Sequence, residues 1–235
     1  MCSKDTNIIN AKLTEKGISQ CKKASESVEK RFPNIKRVLL SPLRRPVMTF
    51  ENTFENYSRF KSGDLKISFL DTLRESLAGF TQDITIMTEK EKADFKYPEL
   101  YDYSFQNKFN DPDSWFLENA SERFRGKHKQ LLEDLKGLET QEEKFDRIRE
   151  ELKKSTIKES SADVYERVVK GAKEEIKRII NEEKLQDGEL LVVAHGYTNM
   201  YLTCKKFDDT TKKPVKGQFL AFSNAKMVEY DVHEY

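Results

Sequence analysis

Apolar residues in the first third of the chain recur with two distinct periods. Ile18, Cys21, Ala24 and Val28 fall roughly on one face of a helical repeat, Thr14 offers a capping hydroxyl and Pro33 closes the run, so the pattern predicts a helix after Thr14. The unbroken run Val38-Leu39-Leu40 reads as a buried strand, punctuated at its end by Ser41-Pro42-Leu43. Pro46 suits the first turn of a second helix carrying Val47, Phe50, Phe54 and Tyr57. After the turn signal Gly63-Asp64, the segment Leu65-Lys66-Ile67-Ser68-Phe69-Leu70 alternates with period two and predicts another strand.

From about 80 to 158 the character changes. Aromatic residues crowd between Phe95 and Phe116, and a charge-dense stretch follows that carries Leu131, Leu132, Leu135, Leu138, Phe145, Ile148 and Leu152. This predicts a helical, aromatic-rich insertion within a single domain spanning 1–235. Its aromatics either anchor the insertion on the parent core or line a lid over a ligand. The insertion should lean over the sheet edge that it leaves just after Glu75. Beyond it, Ser160 with Asp163 approximates a capping box and opens a helix through Val164, Val168, Ala172, Ile176 and Ile179 or Ile180. Asp187-Gly188 turns the chain into Leu190-Leu191-Val192-Val193-Ala194, a run of the kind buried on both faces in parallel sheets. Met227-Val228-Glu229-Tyr230-Asp231-Val232 alternates and predicts a closing strand. Strands alternating with helices indicate an α/β fold with a mostly parallel central sheet.

Composition narrows the function classes. The net charge of +1 offers no global field for nucleic acid or an anionic membrane. The aliphatic run at Leu190 is far short of the ~20 residues of a membrane span, and the polar start Met1-Cys2-Ser3-Lys4-Asp5 lacks a secretory apolar segment. Cys2, Cys21 and Cys204 are scattered and odd in number, which fits a reducing, intracellular and cytoplasmic setting. With no CxxC or HExxH spacing, neither a metal site nor a cofactor is expected.

In open α/β sheets ligands bind beyond the carboxyl ends of the strands, which directs attention to three segments. They are Ser41-Pro42-Leu43-Arg44-Arg45, Leu73-Arg74-Glu75 and Ala194-His195-Gly196. Guanidiniums, a carboxylate and an imidazole converging there would suit a phosphate group, because arginine presents a planar fork of donors to phosphate oxygens. Each alone has a plain structural reading: a packed histidine, a surface arginine, a glutamate opening a helix.

Together the segments resemble the histidine phosphatase superfamily, with its phosphoglycerate mutase-like three-layer fold. Leu13-Thr14-Glu15-Lys16-Gly17-Ile18-Ser19-Gln20 resembles the helix after the family's first strand, and Ser41-Pro42-Leu43-Arg44-Arg45-Pro46-Val47-Met48-Thr49 its SPLxRAxQT block. Leu73-Arg74-Glu75 with Gly79 is similar to its acidic segment. Glu159-Ser160 with Asp163 and Arg167 is similar to the start of its long helix, and Val192-Val193-Ala194-His195-Gly196 to its second histidine block. The resemblance implies that Arg45 and His195 bind the phosphoryl group, that His195 stabilises it in the transition state, and that Glu75 donates a proton. It assigns Arg44 no role.

The departure lies at the start. Family members open with a strand ending in Arg-His-Gly, whose histidine becomes phosphorylated; here that triplet is missing, and the histidines are His128, His195 and His233. The first strand is therefore expected to be missing, or abbreviated to Asn7-Ile8-Ile9. Three readings follow. One is a catalytically inactive pseudo-phosphatase acting as a binding or assembly subunit, with a protein partner covering or completing the sheet. A second is an active phosphomonoesterase or mutase whose nucleophile strand comes from elsewhere. The third is a module that binds a phosphorylated small molecule or phosphopeptide without turnover.

Overall fold

The computed structural model describes residues 8–84, 89–109, 114–154, 156–221, 225–229 and 231. Helix α1 (Glu15–Arg31) begins where the Thr14 hydroxyl accepts the Gly17 N–H at 3.2 Å, replacing a bond that the first helical turn cannot make internally. Strand β1 (Arg37–Leu40) and helix α2 (Arg44–Phe54) follow, with Pro46 in the first turn of α2. Tyr57 lies beyond α2 and precedes the short α3 (Ser58–Ser62), where Gly63 takes the left-handed conformation that ends it. Strand β2 is Lys66–Phe69.

The insertion holds helices α4 (Glu89–Lys92), α5 (Trp115–Glu118), α6 (Glu122–Lys127), α7 (Lys129–Lys136) and α8 (Gln141–Lys153). It also contributes a two-residue strand, β3 (Tyr101–Asp102), which pairs parallel to β2. Its aromatics Phe95, Tyr101, Phe105, Trp115 and Phe116 pack into one apolar cluster with Val38, Leu40, Val47 and Phe50. The long second-half helix is interrupted: α9 (Ser161–Tyr165), then a π-helical stretch (Glu166–Ala172), then α10 (Lys173–Glu183). Ser160 and Asp163 form both halves of the capping box. Strand β4 (Leu190–Val193) and helix α11 (Gly196–Leu202) complete the core.

Among the described residues the sheet has four strands, all parallel, in the order β3-β2-β1-β4. Period-two alternation sends Val38 and Leu40 to one face, with α2 and the insertion. Leu39 goes to the other, with Val164, Val168, Ala172 and Ile176 of the long helix and Tyr201 and Leu202 of α11. The protein is thus a mixed α/β fold with a parallel sheet flanked by helices on both faces. Full burial of each strand leucine contributes ~2 kcal/mol.

Among the described residues no strand forms at the start of the chain, in line with the missing-strand alternative, and the closing strand expected at 227–232 is not formed. Ile8 and Ile9 are not in a strand, and Asn7 lies outside the described residues. Met227–Glu229 and Asp231 are likewise irregular, while Tyr230 and Val232 lie outside the description. Alternation permits a strand but does not supply the edge it must pair with. The segment Ile8–Ala11 instead runs along the turn at Thr81 and Gln82: the Asn10 and Ala11 N–H groups donate to the Thr81 and Gln82 carbonyls, and the Thr81 hydroxyl donates to the Ile8 carbonyl at 2.7 Å.

Candidate functional site

The parallel register aligns three strand ends. Leu40 is level with Phe69 on one side and Val193 on the other, so Ser41, Leu70 and Ala194 leave the sheet together. Each strand then delivers one polar side chain within a few residues. After β1 the chain enters α2 at once, placing Arg45 in its first turn. After β2 a 3-10 turn (Asp71–Leu73) leads to Arg74 and Glu75, and after β4 His195 becomes the N-cap of α11.

His195 is 7% exposed and sits between Ser41 and Glu75. Ser41 Oγ lies 3.0 Å from His195 Nε2, and Glu75 Oε2 lies 3.9 Å from Nδ1. In the tautomer with the proton on Nδ1, the Ser41 hydroxyl donates to Nε2 and the Nδ1 proton faces Glu75. Burial, aided by the positive fields of Arg45 and Arg167, pushes the imidazole well below its usual range, so it is neutral at pH 7. Burial also raises the Glu75 carboxyl. The Ser76 N–H opposes that, the Asp83 carboxylate adds to it, and Arg167 and Arg45 oppose it more weakly, leaving Glu75 at about 7. A carboxyl poised there can hold a proton or release one near neutrality.

Arg45 acts electrostatically on both His195 and Glu75, so all three sequence-derived residues converge on one edge. Its Nη2 donates to Asp83 Oδ1 at 2.5 Å. Asp83 carries no sequence signal: it ends a short 3-10 turn (Thr81–Asp83), and only the docking of that turn brings it to Arg45. The strap Ile8–Ala11 holds the turn and also accepts the Arg44 N–H through Asn10 Oδ1 at 2.9 Å. Asn10 takes a left-handed backbone, φ 44°, which asparagine tolerates better than most residues. The Arg44 side chain turns away to Asp94 at 2.9 Å and Glu91 at 3.8 Å, tying the insertion to α2.

Arg74 is adjacent to Glu75 in sequence but belongs to a separate, fully buried construction. Its Nη1 and Nη2 donate to Glu159 at 3.0 and 2.8 Å, and Arg167 Nε and Nη2 donate to the same carboxylate at 3.0 and 3.1 Å. All three side chains are fully buried. Burial alone would raise the Glu159 carboxyl, but Arg167 and Arg74 outweigh it and hold the group well below its usual range. Arg74 is itself lowered to about 10 by burial and by Arg167. Arg167 Nη1 reaches the Thr72 and Arg74 carbonyls, and the Thr198 hydroxyl donates to the Arg74 carbonyl. The knot therefore fixes the loop that presents Glu75 and the helix that follows His195.

The other imidazoles are elsewhere. His128 is buried in the insertion against the Phe124 ring, 4.5 Å between centroids, and His233 lies outside the described residues. Among the described residues no second imidazole faces His195.

No helix of the described residues is long and apolar enough to cross a membrane. No curated protein and no solved structure matches the chain. A family model does, that of the histidine phosphatase superfamily (branch 1), over residues 6–140; the match includes Arg45, Glu75 and Asp83 and stops short of His195. With more than half of its length matched, and with a parallel sheet that brings an arginine, a glutamate and a histidine to one carboxyl edge, the chain belongs to the histidine phosphatase superfamily.

Proposed function

We propose that this chain is a catalytically inactive histidine phosphatase-like protein that keeps the phosphoryl-binding half of the site and serves as a binding or assembly subunit. The observation that carries this reading is the course of Ile8–Ala11. Where a strand ending in Arg-His-Gly would enter the sheet in the family, this segment straps the Asp83 turn and brings Asn10, not an imidazole, to the start of α2. In-line phosphoryl transfer needs a nucleophile opposite the leaving group, and stabilising groups without one give binding but no covalent intermediate. His195 is a poor replacement, because it is buried and its Nε2 is engaged by Ser41.

What remains suits a phosphorylated ligand, a small molecule or a phosphopeptide. Arg45 supplies the guanidinium, and a bound phosphate dianion would draw a proton onto the neutral His195 and so strengthen its own hydrogen bond. The reading requires no cofactor and no metal. Buried free thiols at Cys21 and Cys204 fit a reducing, cytoplasmic setting.

A second reading, an active phosphomonoesterase or mutase completed by a strand from elsewhere, is favoured by the edge of the sheet. Strand β4 is only partly buried along its whole length, whereas β1, in register beside it, is buried throughout. The Glu189 and Val193 carbonyls accept bonds from Arg37 and Ser41 at the two ends of β1, so by alternation the backbone groups of Leu190 and Val192 point to the side where no strand pairs among the described residues. A protein partner adding a strand there would pair those backbone groups, in an inactive assembly as well as in an active one.

Assaying the purified chain against a generic phosphomonoester, with His195→Ala as control, tests the proposal. It expects no turnover above background in either protein; turnover that the variant loses would overturn it.

A further inference from the structure

The partner of Arg45 has the wrong sign for a vacant phosphate site. We propose that Asp83 is a built-in competitor, a carboxylate that takes the place of a phosphoryl oxygen on Arg45 and so limits the pocket to anions able to displace it. This rests on the reading of Arg45 as the phosphate-binding residue.

The geometry supports a competitor over a passive surface pair. The Asp83 side chain is 7% exposed while that of Arg45 is 28% exposed, so the carboxylate is the more buried member of the pair and the guanidinium the more accessible. The turn bearing Asp83 is fixed by three hydrogen bonds from and to the Ile8–Ala11 strap, which holds the carboxylate against Arg45. Surface ion pairs between long flexible side chains lack such support.

Charge balance points the same way. Arg74 and Arg167 are committed to Glu159, and Arg44 to Asp94 and Glu91, which leaves Arg45 as the guanidinium facing the ligand. Against it stand Asp83 and the poised Glu75, and each raises the cost of placing a dianion beside them. Burial raises the Asp83 carboxyl and Arg45 only partly offsets it, as expected of a desolvated ion pair. Arginine also binds phosphate best through two parallel N–H donors, and Asp83 already occupies Nη2.

The test measures inorganic phosphate binding to the full chain by calorimetry, for the native protein and for Asp83→Asn, Asp83→Ala, Asp83→Glu and the double variant Arg45→Ala/Asp83→Asn, each checked for native circular dichroism. Removing the carboxylate should tighten binding at least tenfold in both Asp83→Asn and Asp83→Ala. Asp83→Glu, which keeps the charge, should bind as weakly as the native chain, and the double variant should lose the gain. Equal, Arg45-dependent affinity in native, Asn and Ala proteins would overturn the competitor and leave the phosphate pocket standing. Absence of binding throughout, or binding indifferent to Arg45, would overturn the pocket and the competitor together.

Discussion

Arg74 and Glu75 are consecutive residues, yet they serve two regions built on opposite principles. The knot of Arg74, Glu159 and Arg167 is fully buried, and both Glu159 oxygens are bonded by both guanidiniums. The pocket has the reverse character. His195 is neutral, Glu75 is poised near pH 7, Arg45 faces outward, and the Glu75–His195 approach at 3.9 Å is too long for a hydrogen bond. Charges neutralised within the protein hold it together; a neutral imidazole and a carboxyl poised near neutrality are available to something else.

The largest effect is expected in the knot. Glu159→Gln leaves two buried guanidiniums facing each other without a counter-charge, and should cost about 3–5 kcal/mol in denaturant unfolding. A loss below about 1 kcal/mol would mean that the knot is not the support described here.

Glu75 should show its character through pH. Its folded value of about 7 lies above the ordinary 4.5, so the folded chain holds a proton there that the unfolded chain has released. Its contribution is therefore fully present below pH 4.5 and is lost as pH rises through 7, by at most ~3 kcal/mol. Relative to the native chain, Glu75→Gln should gain stability steadily across that window and change little below it. A difference independent of pH would place Glu75 in an ordinary solvated environment.

Ser41 holds the His195 ring and should give the smallest change. Ser41→Ala removes the partner of a buried imidazole nitrogen and should cost ~1–2 kcal/mol while releasing Nε2. The nitrogen shifts of His195 would report the lost hydrogen bond, and unchanged shifts would show that Ser41 does not fix the ring.

The pieces legible in the sequence share one feature, that local pattern and tertiary need agree. Val38-Leu39-Leu40 and the run from Leu190 to Val193 are apolar because a parallel strand packs on both faces, and Ser160 with Asp163 forms its capping box within four residues. Arg45, Glu75 and His195 could be singled out because each follows a strand closely. What the sequence did not reveal depends on docking. Strand β3 is two residues long and exists only because β2 offers an edge. The π-helical stretch keeps the same apolar spacing as the α-helix expected there, and Asp83 meets Arg45 across 38 residues through a turn without a motif. The alternation of Met227–Val232 misled for the same reason, since a strand pattern says nothing about whether an edge is there to receive it.

Whether a phosphoryl group held by Arg45 is attacked by any histidine of the chain can be read out by trapping. The chain is incubated with an isotope-labelled phosphomonoester, quenched in alkali to preserve phosphohistidine, and analysed by mass spectrometry. The account predicts no phosphorylated histidine at any incubation time, although inorganic phosphate binds in a manner that requires Arg45. A phosphoryl group found on His195, and absent from His195→Ala, would contradict it.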